Sequence, residues 1–151
     1  MKKIIAVLAF LTLSQPGWCE VKNPYDETAN AKTQIEAAQA SAKVTNKSTL
    51  IVFGANWCGD CKVLDTEMHQ GALAKLVDER VVVVKVDVGR MDKNKDVTER
   101  YGNVIKKGIP SVVLLRANGS VAHQTNGGEL ADARKMGREG LTTFFSAMLN
   151  K

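Results

Sequence analysis

The sequence predicts a single α/β domain, and three observations carry that expectation. A continuous apolar run at residues 50–53 suits a strand buried on both faces, and the valine-rich residues 81–88 are a second candidate for a buried strand. Stretches with helical spacing precede, separate and follow these runs. Asn118 and Gly119 sit between two short apolar segments and mark a hairpin. Across 151 residues there is no internal repeat, low-complexity tract or interdomain linker, so one core is expected.

Residues 24–44 are rich in Ala, Gln, Lys and Glu, and Ile35, Ala38, Ala42 and Val44 recur at roughly helical spacing. A first helix within residues 26–43 follows. Asn46, Lys47 and Ser48 break it ahead of the strand at 50–53. Residues 54–57 make a tight passage, and residues 58–70 regain helical character, with Val63, Leu64 and Met68 available for burial. Residues 72–78 extend or follow that helix before the second strand at 81–88. Residues 90–101 are charged and contain a short helix closed by Gly102. The hairpin pairs residues 111–116 with 120–124, so the last strands are antiparallel neighbours. Gly127 and Gly128 interrupt the chain, residues 129–135 form a short helical turn, and 138–149 put Leu141, Phe144, Phe145 and Met148 on one face of a final helix.

Lys2 and Lys3 precede an apolar run over residues 4–13 and a turn-prone stretch with Pro16 and Gly17, the layout of a secretory signal peptide. A permanent bilayer-spanning helix needs about 20 apolar residues, more than this run supplies. Gly17 and Cys19 are small enough for cleavage before Glu20; a lipid-modified Cys19 is the weaker reading, because bulky Trp18 precedes it. The expected organisation is a signal peptide at 1–19, a helical extension at 20–48 and the main domain at 49–151. Removing the first 19 of 151 residues leaves 132, with Cys58 and Cys61 as the only cysteines, and lowers the formal charge from +5 to +3. Neither that balance nor any basic stripe with interleaved aromatics points to nucleic acid. A monomer in an extracytoplasmic compartment, periplasmic or secreted, is expected.

The stretch ANWCGDCK spaces Cys58 and Cys61 by one helical turn, at the point where the first strand hands over to a helix. Unpaired N–H groups at a helix start favour the thiolate, which is the reactive form of cysteine. A second thiol at i+3 is near enough to attack a mixed disulfide and release the partner. The implied chemistry is thiol–disulfide exchange, with Cys58 attacking and Cys61 resolving. A structural staple is the blander reading, but it would close a very small loop and restrain the unfolded chain little. Zinc needs three or four ligands, and beyond the cysteines the chain offers only His69 and His123 at a spacing that fits no compact module. No resident metal or other cofactor is expected; transient copper handling through the two thiols stays open.

WCGDCK, following a buried strand, resembles the active-site motif of the thioredoxin superfamily, and GIPSVVLL at 108–115 with ANGSV at 117–121 is similar to that family's proline-containing strand and the hairpin after it. The likeness covers roughly residues 50–149. It implies a thioredoxin fold: a central mixed sheet flanked by helices, here with an extra N-terminal helix. It also implies a cis Ile109-Pro110 peptide beside the cysteines, with Ile109 and Pro110 contacting an extended substrate and Trp57 flanking the nucleophile. The nearest likeness is to secreted thioredoxin-like proteins that reduce disulfides in other secreted proteins, recharged by a membrane-bound thiol reductase. An oxidase or isomerase, or a non-catalytic module binding a metal or client, are the alternatives.

Two departures from the family pattern bear on the thiol pKa values. Val52 stands where many thioredoxins carry a buried acid, and Asp60 follows Gly59 between the cysteines where proline is commonest. The Asp60 charge is expected to oppose a Cys58 thiolate, to favour the oxidised couple and, through water, to take the proton of Cys61. Lys85, at a basic position of the family, is expected to counterbalance it.

Overall fold

The computed structural model describes residues 23–150, so the signal-peptide reading and Cys19 lie outside the described residues. Nine elements follow in the order α1 (Ala31–Thr45), β1 (Ser48–Gly54), α2 (Gly59–Met68), α3 (Gly71–Arg80), β2 (Val81–Asp87), α4 (Lys95–Arg100), β3 (Ser111–Leu115), β4 (Val121–Gln124) and α5 (Ala133–Leu149). The sheet runs β2-β1-β3-β4, with β1 parallel to β2 and antiparallel to β3, and β3 antiparallel to β4. It is the mixed sheet of a thioredoxin fold, with an N-terminal helix packed on β1 and β2.

The central position of β1 explains its continuous apolar run, because both of its faces are covered. Ile51 and Phe53 face one cluster with Tyr25, Ile35 and Ala38 near α1 and Val97 and Tyr101 near α4. Leu50 and Val52 face the other, with Leu64 and Met68 of α2, Leu73 and Val77 of α3, and Leu141 and Phe145 of α5. Helices therefore cover both sides of the sheet. Fully burying each such side chain contributes about 1.5–3 kcal/mol, and Val52, far from being a lost acid alone, is part of this packing.

Helix α1 starts later than the composition suggests. Asp26 accepts from the Thr28 amide and hydroxyl in a local turn, and Asn30 caps the helix by accepting from Thr33 N at 3.1 Å. The two middle helices are separate because Gln70 is extended and Gly71 adopts φ 58. Between β2 and α4, Gly89, Met91 and Asn94 all take positive φ, which shortens α4 to six residues. Gly137, at φ 62 and ψ −176, kinks α5 into a short first piece and the longer amphipathic one.

Candidate active site

β1 delivers the site to the edge of the core. After Gly54 the chain turns, Cys58 N donating to Ala55 O at 3.1 Å, and α2 begins at Gly59. Cys58 itself is the N-cap: its φ of −79 and ψ of 113 are extended, and its Sγ accepts from Cys61 N at 3.1 Å. A side-chain acceptor in that position satisfies one of the free N–H groups of the first turn. One turn on, Cys61 lies 5.2 Å away, Cα to Cα, and the two form a disulfide. Cys58 retains 6% of its surface and Cys61 1%, so an outside molecule meets Cys58 first.

The Ile109-Pro110 peptide is cis and stands over this pair, with the Ile109 carbonyl oxygen 3.7 Å from Cys58 Sγ. The Ser111 hydroxyl, shared between the carbonyls of Val104 at 3.0 Å and Gly108 at 2.9 Å, fixes the loop leading into it. Trp57 is 57% exposed, and its indole N–H donates to Gly89 O at 2.7 Å. An exposed aromatic held in this way offers an apolar face beside the disulfide.

The charges differ from the sequence expectation. Asp60 is buried and engaged by Arg134, which lies far along the chain: the Arg134 amide donates to Oδ1 at 2.9 Å, Nε to Oδ1 at 3.2 Å, and a terminal guanidinium nitrogen to Oδ2 at 3.1 Å. Burial pushes the Asp60 pKa up, but the hydrogen bonds and charge of Arg134 more than offset it and hold the carboxyl below its ordinary value. The same guanidinium packs over Gly59, where a Cβ would sit 3.4 Å from it. Asp60 thus presents a paired charge to the cysteines, which weakens its expected opposition to a Cys58 thiolate. Lys85 balances a different acid. It forms an ion pair with Asp65 on α2, and His69 Nδ1 lies 3.6 Å from the same carboxylate oxygen. α2 therefore carries a buried acid, Asp65, one turn on from Cys61.

Arg134, Ser111 and the Tyr25–Asn56 pairing described below went unread in the sequence. The i+4 spacing of Asp65 and His69 reads as an ion pair on one helix face, which the structure contains, and Asp65 also stands i+4 from Cys61, one turn further along the same helix. Removal of the Arg134 charge by Arg134→Ala is expected to lower thermal stability at neutral pH. A carboxyl whose folded-state pKa is lowered stabilises above its unfolded value, near 3.8 for Asp60, and that contribution is lost as pH falls through the folded value. The gap in melting temperature between wild type and variant should close in acid, and a gap independent of pH would contradict the pairing.

Comparison with known proteins agrees with this architecture. The model of the "Thioredoxin-like" family matches residues 30–117. The crystal structure of a disulphide isomerase from Xylella fastidiosa Temecula1 superposes with a TM-score of 0.82 at 45% identity, covering 85% of this chain and 98% of that one. Thioredoxin-1 of Drosophila yakuba is 34% identical over 94 residues, which is 62% of this chain and 80% of the relative. The C-terminal domain of Neisseria meningitidis DsbD in its oxidised form shares the fold, with a TM-score of 0.56 at 21% identity over 79% of this chain and 96% of that one. The fold and its redox disulfide define a thiol–disulfide oxidoreductase. The chain belongs to the thioredoxin-like family.

Proposed function

We propose that the protein exchanges disulfides with extracytoplasmic proteins, chiefly as a reductant, with Cys58 as attacking thiolate and Cys61 as resolving thiol. The observation that carries this reading is the arrangement at the start of α2. The more exposed sulfur takes the N-cap position, its partner lies one turn behind, and the Ile109 carbonyl stands 3.7 Å from the first sulfur. Reduced Cys58 attacks a substrate disulfide; one S–S bond breaks, a Cys58 mixed disulfide forms, and one substrate sulfur leaves as a thiolate. Cys61 thiolate then attacks the Cys58 sulfur, closing Cys58–Cys61 and releasing the second substrate sulfur. The substrate has gained two electrons and the protein has lost them.

Trp57, Ile109 and Pro110 are the proposed substrate contacts. Trp57 offers an exposed ring, and the backbone around Ile109 offers polar groups to an extended peptide. The leader at 1–19 supports an extracytoplasmic site of action. An oxidising compartment requires that the reduced form be restored by an outside donor, for which a membrane-bound thiol reductase is the proposed partner. Among the described residues no helix is long and apolar enough to cross a membrane.

The name of the 45%-identical Xylella relative favours a second reading, disulfide isomerisation, in which Cys58 opens a wrong bond and the substrate's own thiol displaces it. Equilibration with glutathione separates the two. A reductant holds a potential well below that of the glutathione pool, where about 30 mV corresponds to about 1.4 kcal/mol; an isomerase sits near or above it. Cys61→Ser should accumulate mixed disulfides through Cys58 that mass spectrometry can identify. Recovery of no adduct with disulfide-bearing extracytoplasmic proteins would overturn the proposal.

A further inference from the structure

The segment ahead of α1 reaches the disulfide from behind. Asn56, next to Trp57, accepts from Tyr25 N at 3.0 Å and donates from its amide to Tyr25 O at 2.9 Å, with Glu27 Oε1 also within 2.9 Å of that amide. This two-sided clamp ties residues well separated in sequence to the active-site turn. Tyr25 is buried, 3% exposed. Its hydroxyl points to Gly54, where a Cβ would overlap the phenol oxygen and its ring carbon and would also lie 2.9 Å from Cys61 Sγ. The phenol oxygen and the Cys61 sulfur therefore border the same space, the one a Gly54 side chain would fill.

We propose that Tyr25 is a positioning residue for Cys61, its hydroxyl donating a hydrogen bond to the Cys61 sulfur once the disulfide is open. The proposal rests on the reading of Cys61 as the resolving thiol. Burial, with the charges of Asp65 and Asp87 adding to it, holds the Tyr25 phenol well above its usual pKa, so Tyr25 remains a donor and does not act as the base. The charged groups that act on it come in pairs: Asp65 of α2 with Lys85 of β2, and Asp87 of β2 with Lys93 at 3.1 Å.

A hydrogen bond to a thiolate favours the charged form. During resolution the Cys61 thiol gives its proton to solvent, and its thiolate attacks the Cys58 sulfur. The Cys58–Cys61 bond forms as the Cys58–substrate bond breaks, and the substrate thiolate leaves to be protonated by water. With Tyr25 donating, more Cys61 is ionised at a given pH. When the disulfide is reopened by an incoming thiolate, the same donor stabilises Cys61 as the leaving group.

The test is Tyr25→Phe, which removes the oxygen and keeps the ring that fills the core. In a Cys58→Ser background, the ultraviolet thiolate absorbance of Cys61 is followed against pH with and without Tyr25→Phe. The expected shift is upward by about one unit, or roughly tenfold less thiolate on the acid side. The Cys58 profile, taken in a Cys61→Ser background, should stay where it is. An unmoved Cys61 profile overturns the proposal, and so do two profiles that move together, the signature of a general structural change. Should Tyr25→Phe not fold, Asn56→Ala in the same background loosens the clamp, and an unmoved profile there overturns it equally. The titration needs no substrate, so it is independent of the resolving role, which fails separately if Cys61→Ser turns over disulfides at the wild-type rate.

Discussion

Cys58→Ser is expected to reduce the rate of insulin reduction by dithiothreitol to the uncatalysed background, whereas Cys61→Ser, reduced beforehand and freed of dithiothreitol, is expected to attack once per molecule and then stall. The first result follows from nucleophile chemistry. A serine hydroxyl at the N-cap still accepts from the Cys61 amide, so the helix start survives, but its oxygen is essentially un-ionised at neutral pH and cannot enter a disulfide. The second follows from burial. Cys61, with 1% of its surface exposed, reaches the mixed disulfide from inside the protein, and a serine there leaves the substrate bound until an external thiol displaces it. Turbidity of the precipitating insulin chain gives the rates, and a gel without reductant shows the stalled adduct. Equal rates for wild type and Cys58→Ser would mean that the cysteines do not turn over and that the protein acts as a binding module.

The parts of this arrangement that were legible in the sequence are those encoded by short-range pattern. β1 reads as a continuous apolar run because it lies inside the sheet, β2 reads as a valine-rich strand although it is the edge strand and only partly buried, and Asn118 with Gly119 marks the β3–β4 hairpin, whose pairing the structure contains. The break at Gly127 and Gly128 and the amphipathic spacing of Leu141, Phe145 and Met148 located the closing helix. Cys58 read as the first residue of a helix and is instead its cap, a difference of one position that matters because it turns the sulfur toward the free N–H groups. What could not be read depends on contacts between distant segments. Asp60 and Arg134 are 74 residues apart, and nothing near Asp60 signals that a guanidinium will neutralise it. Family position sets Lys85 against Asp60, but the parallel pairing of β2 with β1 places Lys85 opposite Val52, where its partner is Asp65 of α2. Tyr25 precedes the first helix, outside the residues whose helical spacing marks them for burial. Its burial arises from the Asn56 clamp, a contact over 31 residues.

Gly54→Ala is expected to destabilise the protein by about 3 kcal/mol, the upper end for adding one methyl to a packed core, which for a domain of this size lowers the melting temperature by roughly 10 °C. The cost is steric rather than conformational, since Gly54 is the last residue of a regular strand, pairs with Asp87 and does not need positive φ. Its Cβ would overlap the Tyr25 hydroxyl and lie 2.9 Å from Cys61 Sγ. Neither neighbour is the free end of a flexible side chain. The phenol is a planar ring held by the Asn56 clamp, and the sulfur is locked in the disulfide, so the strand or the ring must move. The clash also has a distinctive signature in a double-mutant cycle. Tyr25→Ala alone costs about 3 kcal/mol through the cavity it leaves, but in that background Gly54→Ala meets only the sulfur, and its further cost should fall to about 1 kcal/mol. A coupling of about 2 kcal/mol between the two sites is then expected from denaturant unfolding. If the two costs simply add, the methyl is accommodated elsewhere, and the crowding of Gly54 by phenol and sulfur is not what makes glycine necessary there.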